Sequence, residues 1–345
     1  MRDIVEAPFG RLPDGLEARL FTLTDGAGMT VTITNFGGIV TSLTVPGRDG
    51  VAGNVVLGFD TLAPYLRGTP YFGALIGRSG NRIARGQFTL DGKVHQLDVN
   101  DGAQHLHGGA VGFDKVLWQA RIDGAVLVLD YVSPDGEQGY PGTLAVTVEY
   151  EVTAAHTLVM RVRATTDQAT PVNITQHSYF NLAGEGDILA HTLTLHADAF
   201  TPVDDNLIPL GGSVLVAGTP FDFRAARPIG ERIAMPDKQL RCGAGYDHNF
   251  VLNRAAAAAS ALTLAARLED PLSGRVLELS TREPGVQFYS GNFLDGSLGF
   301  AHRSGVCLEP QHFPDAPNQP DFPSTILQPG AQYSTESRWR FSVTP

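Results

Sequence analysis

Leu144-Ala145-Val146-Thr147-Val148-Glu149-Tyr150 places an apolar side chain at every second position. Successive side chains of an extended strand point to opposite faces, so this period gives one buried and one wetter face. The same period runs through Val31 and Ile33, set between Thr30, Thr32 and Thr34, and through Leu193 and Leu195 with Thr192, Thr194 and His196. Leu262, Leu264, Ala266 and Leu268 repeat it. Arg275-Val276-Leu277-Glu278-Leu279-Ser280 then answers across Asp270-Pro271-Leu272-Ser273-Gly274, which reads as a hairpin. Glycine (39 residues) and proline (22) punctuate these runs along the whole chain. The expected fold class is all-β, and strands this numerous must stack as sheets or close on themselves. One segment has helix-like composition, Arg254-Ala255-Ala256-Ala257-Ala258-Ala259-Ser260-Ala261. It is shorter than the ~12 residues an isolated helix needs and reads as a loop or single turn.

Within 345 residues there is no internal repeat and no Ser/Gly-rich or charged linker. The candidate motifs run from about residue 80 to residue 315, so one cooperative domain over 1–345 is expected. Net charge is −11, from 25 basic and 36 acidic residues. Nucleic acid and anionic membrane both require a basic footprint, and a neutral small molecule suits this surface better. Cys242 and Cys307 are too few for a disulfide scaffold and read as free thiols in a reducing compartment. Met1 to Pro8 contains no apolar signal-peptide core, and no run approaches the ~18 apolar residues of a spanning helix. A cytoplasmic protein is the expectation. Oligomeric state is not legible.

Chemistry concentrates in a few places. Asn173-Ile174-Thr175-Gln176-His177-Ser178-Tyr179-Phe180-Asn181-Leu182 sets a histidine among residues that hydrogen-bond and stack. A strand end of this kind holds an imidazole at a fixed angle, and its unperturbed pKa suits proton transfer near neutrality. His105-Leu106-His107 would direct two imidazoles to one face of a strand, as a metal centre requires. The carboxylate such a centre calls for is missing from Gly108-Gly109-Ala110-Val111-Gly112, so no metal is expected. The glycines suggest a tight backbone that lets a ligand approach His107. Glu309 leaves an apolar strand, Gly305-Val306-Cys307-Leu308, where burial raises a carboxyl pKa and suits it to act as a base. Asp247, in Gly245-Tyr246-Asp247-His248-Asn249-Phe250, can accept from two vicinal hydroxyls at once. Arg82 offers a planar donor fork, to a ligand or to a surface ion pair. Gln287 carries donor and acceptor on one amide. No phosphate-binding loop, dinucleotide fingerprint or nucleophile elbow occurs.

These motifs, in this order, resemble the aldose 1-epimerase (galactose mutarotase) family nearly end to end. The resemblance runs through Asn35-Phe36-Gly37-Gly38, then Gly80-Asn81-Arg82-Ile83-Ala84-Arg85-Gly86-Gln87-Phe88, then Leu106-His107-Gly108-Gly109. It continues through Pro134-Asp135-Gly136-Glu137-Gln138-Gly139-Tyr140-Pro141-Gly142, the run around His177, and Gly218-Thr219-Pro220-Phe221-Asp222-Phe223-Arg224. Tyr246-Asp247-His248, Gly285-Val286-Gln287-Phe288-Tyr289 and Leu308-Glu309-Pro310-Gln311-His312-Phe313-Pro314-Asp315 complete it. It implies a large antiparallel β-sandwich of the galactose-mutarotase type, a supersandwich. It also implies interconversion of the α and β anomers of free aldoses such as galactose and glucose, without a cofactor. Carried onto matching positions, it makes Glu309 the general base and His177 the general acid. His107 then assists at the ring oxygen, while Asn81, Arg82, Asp247 and Gln287 hold hydroxyls. Ring opening on this scheme begins from ionised Glu309 and protonated His177. A glycosidase using Glu309 with Asp247 is the rival enzyme, but it leaves the histidines without a role. A sugar-binding module could dispense with the acid–base pair, and a sugar-phosphate mutarotase would need extra basic residues.

Overall fold

The computed structural model describes residues 3–254 and 261–344. The alanine-rich run expected as a loop or single turn falls mostly on 255–260, outside the described residues. Three sheets make the framework. The largest has nine strands and includes the expected Leu144–Thr153, flanked by Val126–Ser133 and Thr157–Thr166. A five-stranded sheet is built from the N-terminal strands, among them Thr30–Thr34. A six-stranded sheet carries Asp247–Leu252, Gly285–Tyr289 and Val306–Gln311 side by side. The ladders within these three sheets are antiparallel. One hydrophobic cluster draws on all of them: Phe21 and Val31, then Val148, Leu277 and Trp339, then Phe250, Phe288 and Leu308. The sandwich follows from burying the apolar faces of these alternating strands against one another.

The expected hairpin is present. Thr263–Glu269 pairs with Arg275–Thr281, and the turn closes with the Gly274 amide donating to the Asp270 carbonyl. The simple period fails at one point. A register shift between Leu264 and Ala266 leaves Ala265 and Ala266 both fully buried and Leu264 38% exposed. A bulge adds one residue to a strand and turns the following side chains to the other face, so alternation alone misplaces Leu264. Cys242 and Cys307 are both free, as expected. Among the described residues no helix is long and apolar enough to cross a membrane.

The remaining short ladders build the edge of a cleft. Thr175–His177 pairs with Ala74–Ile76, and His105–Leu106 pairs with Arg82–Ile83. Arg78 is fully enclosed between them, donating to the Pro141 and Gly142 carbonyls at 3.0 and 2.8 Å and to Ser133. The Pro134 to Gly142 motif therefore works as scaffolding that fixes the loop carrying Asn81 and Arg82.

Candidate active site

The six-stranded sheet has two buried faces of opposite character. Asn249 lies across from Gln287, and Gln287 lies across from Glu309. Directly opposed residues share a face, and period two adds Asp247, Cys307 and Gln311 to it. The other face carries Phe250, Val286, Phe288, Val306 and Leu308 into the core. One row of polar side chains is thus held rigidly over an apolar floor.

Against that row lies a cavity of about 120 Å³. Glu309, His177, His107, Asn81, Arg82 and Asp247 all line it. Gln287 does not line it. Its amide donates to Asp247 Oδ1 at 2.7 Å and accepts from Gln311 at 3.2 Å, so it braces Asp247 from behind. The Asp247 backbone N–H donates to His248 Nδ1 at 3.1 Å, while His248 Nε2 meets the Gln239 amide oxygen at 3.2 Å. Arg82 faces the cavity and forms a 2.8 Å ion pair with Asp101.

His177 ends its strand with Nε2 3.6 Å from Glu309 Oε2, and its Nδ1 lies 3.5 Å from the buried Cys307 sulfur. Tyr71, Tyr179 and His107 surround the ring, with centroids at 5.8, 5.1 and 5.2 Å. His107 takes a left-handed backbone conformation (φ 52°), and its Nδ1 accepts from the Asn81 backbone N–H at 3.1 Å. Its Nε2 is left as the nitrogen available to a ligand.

His105 and His107 do not form the metal pair that two-residue spacing suggested. The strand stops at Leu106, and His105 turns inward to the Asp98 carbonyl (2.7 Å) and the Tyr140 hydroxyl (2.6 Å). The glycine reading also changes. A Cβ on Gly108 would stand 1.8 Å from the Gly77 carbonyl oxygen, so the close approach there is by backbone and not by ligand.

Burial governs the charges of the site. It pushes Glu309 well above the usual carboxylate value, aided by the nearby Asp247 charge, and it raises Asp247 as well. It lowers His177 to about 4 and holds His107 well below its ordinary value. These shifts oppose the ionised-glutamate, protonated-histidine pair expected from the sequence. Burial of both groups favours the neutral carboxyl and the neutral imidazole, because two neutral groups are cheaper to bury than two charged ones. Glu309 Oε2 is buried without a hydrogen-bond partner, an acceptor waiting for a donor.

The aromatic walls were not read from the sequence. Tyr71, Tyr179, Tyr289 and Phe293 line the cavity, and Phe293 is 59% exposed at its mouth. Period two from Gln287 would have found Tyr289. Tyr71 has a positive φ that no local signal announces.

The aldose 1-epimerase family model matches residues 19–340. The chain belongs to that family. A galactose mutarotase of Bos taurus is 46% identical over 99% of this chain and 100% of its own, and the Homo sapiens galactose mutarotase is 45% identical over the same shares. The aldose 1-epimerase of Escherichia coli (strain K12) is 39% identical over 95% of this chain and 96% of its own. The crystal structure of galactose 1-epimerase from Lactobacillus acidophilus NCFM superposes with a TM-score of 0.88 at 29% identity, each chain fully covered. The fold expected for the family is the fold observed.

Proposed function

We propose that this aldose 1-epimerase interconverts the α and β anomers of free aldoses, galactose and glucose among them, with Glu309 and His177 as the acid–base pair. The observation that carries this reading is their opposition at 3.6 Å beside Asp247 and Arg82, in one small buried cavity. Sugar hydroxyls donating to Glu309 Oε2 favour its ionised form, and the proton it gives up passes to His177 Nε2, 3.6 Å away, which readies base and acid together. Glu309 takes the proton of the anomeric hydroxyl while His177 delivers one to the ring oxygen, and His107 Nε2 assists there. The ring opens to an aldehyde, which rotates and recloses on its other face, the two groups then exchanging duties. Each positioned acid or base contributes roughly 10²–10⁴-fold. Asp247 and Arg82 hold hydroxyls, Asn81 contacts the sugar, and Gln287 keeps Asp247 in place. The aromatic walls suit the C–H faces of a sugar ring and shed water from it.

We further propose that residues 1–345 act as one cooperative domain and that the protein works in the cytoplasm, where two unpaired cysteines are at home. The test is polarimetry on freshly dissolved α-galactose, α-glucose and an α-pentose. Acceleration of mutarotation of at least one is expected, with kcat/KM bell-shaped in pH and its acid limb well below the ordinary histidine value. Absence of acceleration for all three sugars refutes the reading.

A further inference from the structure

The cavity holds a second kind of site within the first. His107, His177 and Glu309 come from three separate segments, all buried, and each offers a ligand atom within 4.8 Å of the others. In each case the inward-facing atom is the free one. His107 Nδ1 is occupied by the Asn81 N–H, leaving Nε2, and His177 Nε2 faces Glu309 while its Nδ1 faces Cys307. Glu309 Oε2 has no hydrogen-bond partner. Two imidazoles and one carboxylate are a donor set suited to zinc.

Geometry agrees. Ligands at about 2.0–2.2 Å around a tetrahedral ion lie roughly 3.3–3.6 Å from one another. His177 Nε2 and Glu309 Oε2 are already 3.6 Å apart, so mainly the His107 ring has to close in. The carboxyl groups suit a dication too, since a carboxyl gives up its proton on binding a metal. Glu309 and Asp247 both line the cavity, whereas the Arg82 guanidinium is matched by Asp101 at 2.8 Å. The nitrogen donors favour Zn²⁺, Cu²⁺ or Co²⁺ over Mg²⁺ and Ca²⁺, which require mostly oxygen ligands.

We propose that one borderline divalent transition-metal ion binds between His107, His177 and Glu309 in competition with sugar. The ion occupies the lone pairs that would otherwise exchange protons with the substrate, so it is an inhibitor and not a cofactor. Binding of the ion depends only on the geometry, whereas inhibition rests on the sugar occupying this cavity, as proposed above.

The test titrates metal-free full-length protein with Co²⁺, followed by the visible absorption that tetrahedral Co²⁺ gains on binding nitrogen and oxygen ligands. One ion per chain is expected, with galactose raising its apparent Kd. His107→Asn and Glu309→Gln should each weaken binding by about tenfold or more, the scale on which metal sites respond to lost support. Near-ultraviolet circular dichroism checks that both variants are folded. His156→Gln, altering a histidine that pairs with Asp25 and does not line the cavity, should bind as the parent does. The proposal is overturned by no saturable site, by unchanged affinity in folded His107→Asn and Glu309→Gln, or by indifference to galactose. Zn²⁺ is then added to the mutarotation assay. Inhibition competitive with sugar and reversed by a chelator supports the proposal, whereas full mutarotation at saturating Zn²⁺ overturns the competition with sugar.

Discussion

Leu144–Thr153 and Val306–Gln311 are both antiparallel strands, yet they obey different rules. The first alternates buried and more exposed positions along its length, while the second is buried at every position. Asp247–Leu252 and Gly285–Tyr289 resemble the second. In the large sheet the buried positions are apolar, and burial contributes about 25 cal/mol per Å² of apolar surface. In the six-stranded sheet alternate buried positions carry Asp247, Asn249, Gln287, Glu309 and Gln311, whose desolvation opposes folding. Polar rows of this kind persist where neighbouring packing over-determines them, and here they face the cavity or brace what faces it. Polar burial, more than pattern regularity, marks where the chemistry lies.

The contrast predicts that mutations divide cleanly between the two sheets. The largest effect belongs to the acid–base pair. Glu309→Gln and His177→Asn should each lower kcat by roughly 10²–10⁴-fold while the thermal midpoint stays near or above the parent value. The double variant should be little worse than either single one if, as proposed, the two groups act in one concerted transfer. Near-parental turnover by polarimetry in Glu309→Gln removes it as the base.

Leu279→Ala tests the other sheet. The side chain is fully buried, and truncation should cost about 2–5 kcal/mol of stability by urea denaturation with KM and kcat unchanged at 25 °C. A large change in KM would mean that the sheets are not separable in this way.

Asp247→Ala sits between the two. Loss of the charged acceptor should weaken sugar binding by about 1.5–3 kcal/mol, read as a raised KM or by titration, and should lower turnover where the sugar is then misaligned. Gln287→Ala should reproduce part of that effect by releasing the carboxylate. Unchanged constants in both would take this bracing out of the site.

The last effect is a slope. His248 is fully buried, and burial lowers its pKa to about 3. Below pH 6.5 the unfolded chain takes up a proton there that the native chain refuses until near pH 3, so this residue makes stability fall as pH falls across that window. The contribution approaches about 1.4 kcal/mol per pH unit. His248→Gln should flatten the dependence of the urea midpoint on pH between 6 and 4. An equally steep dependence in the variant assigns the slope to other groups.

Much of this was legible in the chain. The alternations at Leu144–Thr153 and Thr30–Thr34, and the hairpin across Asp270 to Gly274, became strands where expected, because period two is a local property of the backbone. Six of the seven expected site residues line one cavity, because motif order preserves them whatever the distance between them in sequence. Local reasoning failed where a backbone irregularity intervened. The bulge at Ala265 exposed Leu264, and the left-handed turn at His107 parted it from His105.

By itself, then, the sequence determined the strands, the faces they would bury and the residues able to exchange a proton or hold a hydroxyl, since each depends on side-chain chemistry and short-range periodicity. Tertiary structure alone decided that Gln287 would brace Asp247, that Tyr71 and Phe293 would wall the cavity, and that His107 would meet Glu309 and His177. It also decided that Glu309 and His177 would be buried deeply enough to favour their neutral forms. Those outcomes depend on distances between segments far apart in the chain, and on how much water the packed sheets leave between them.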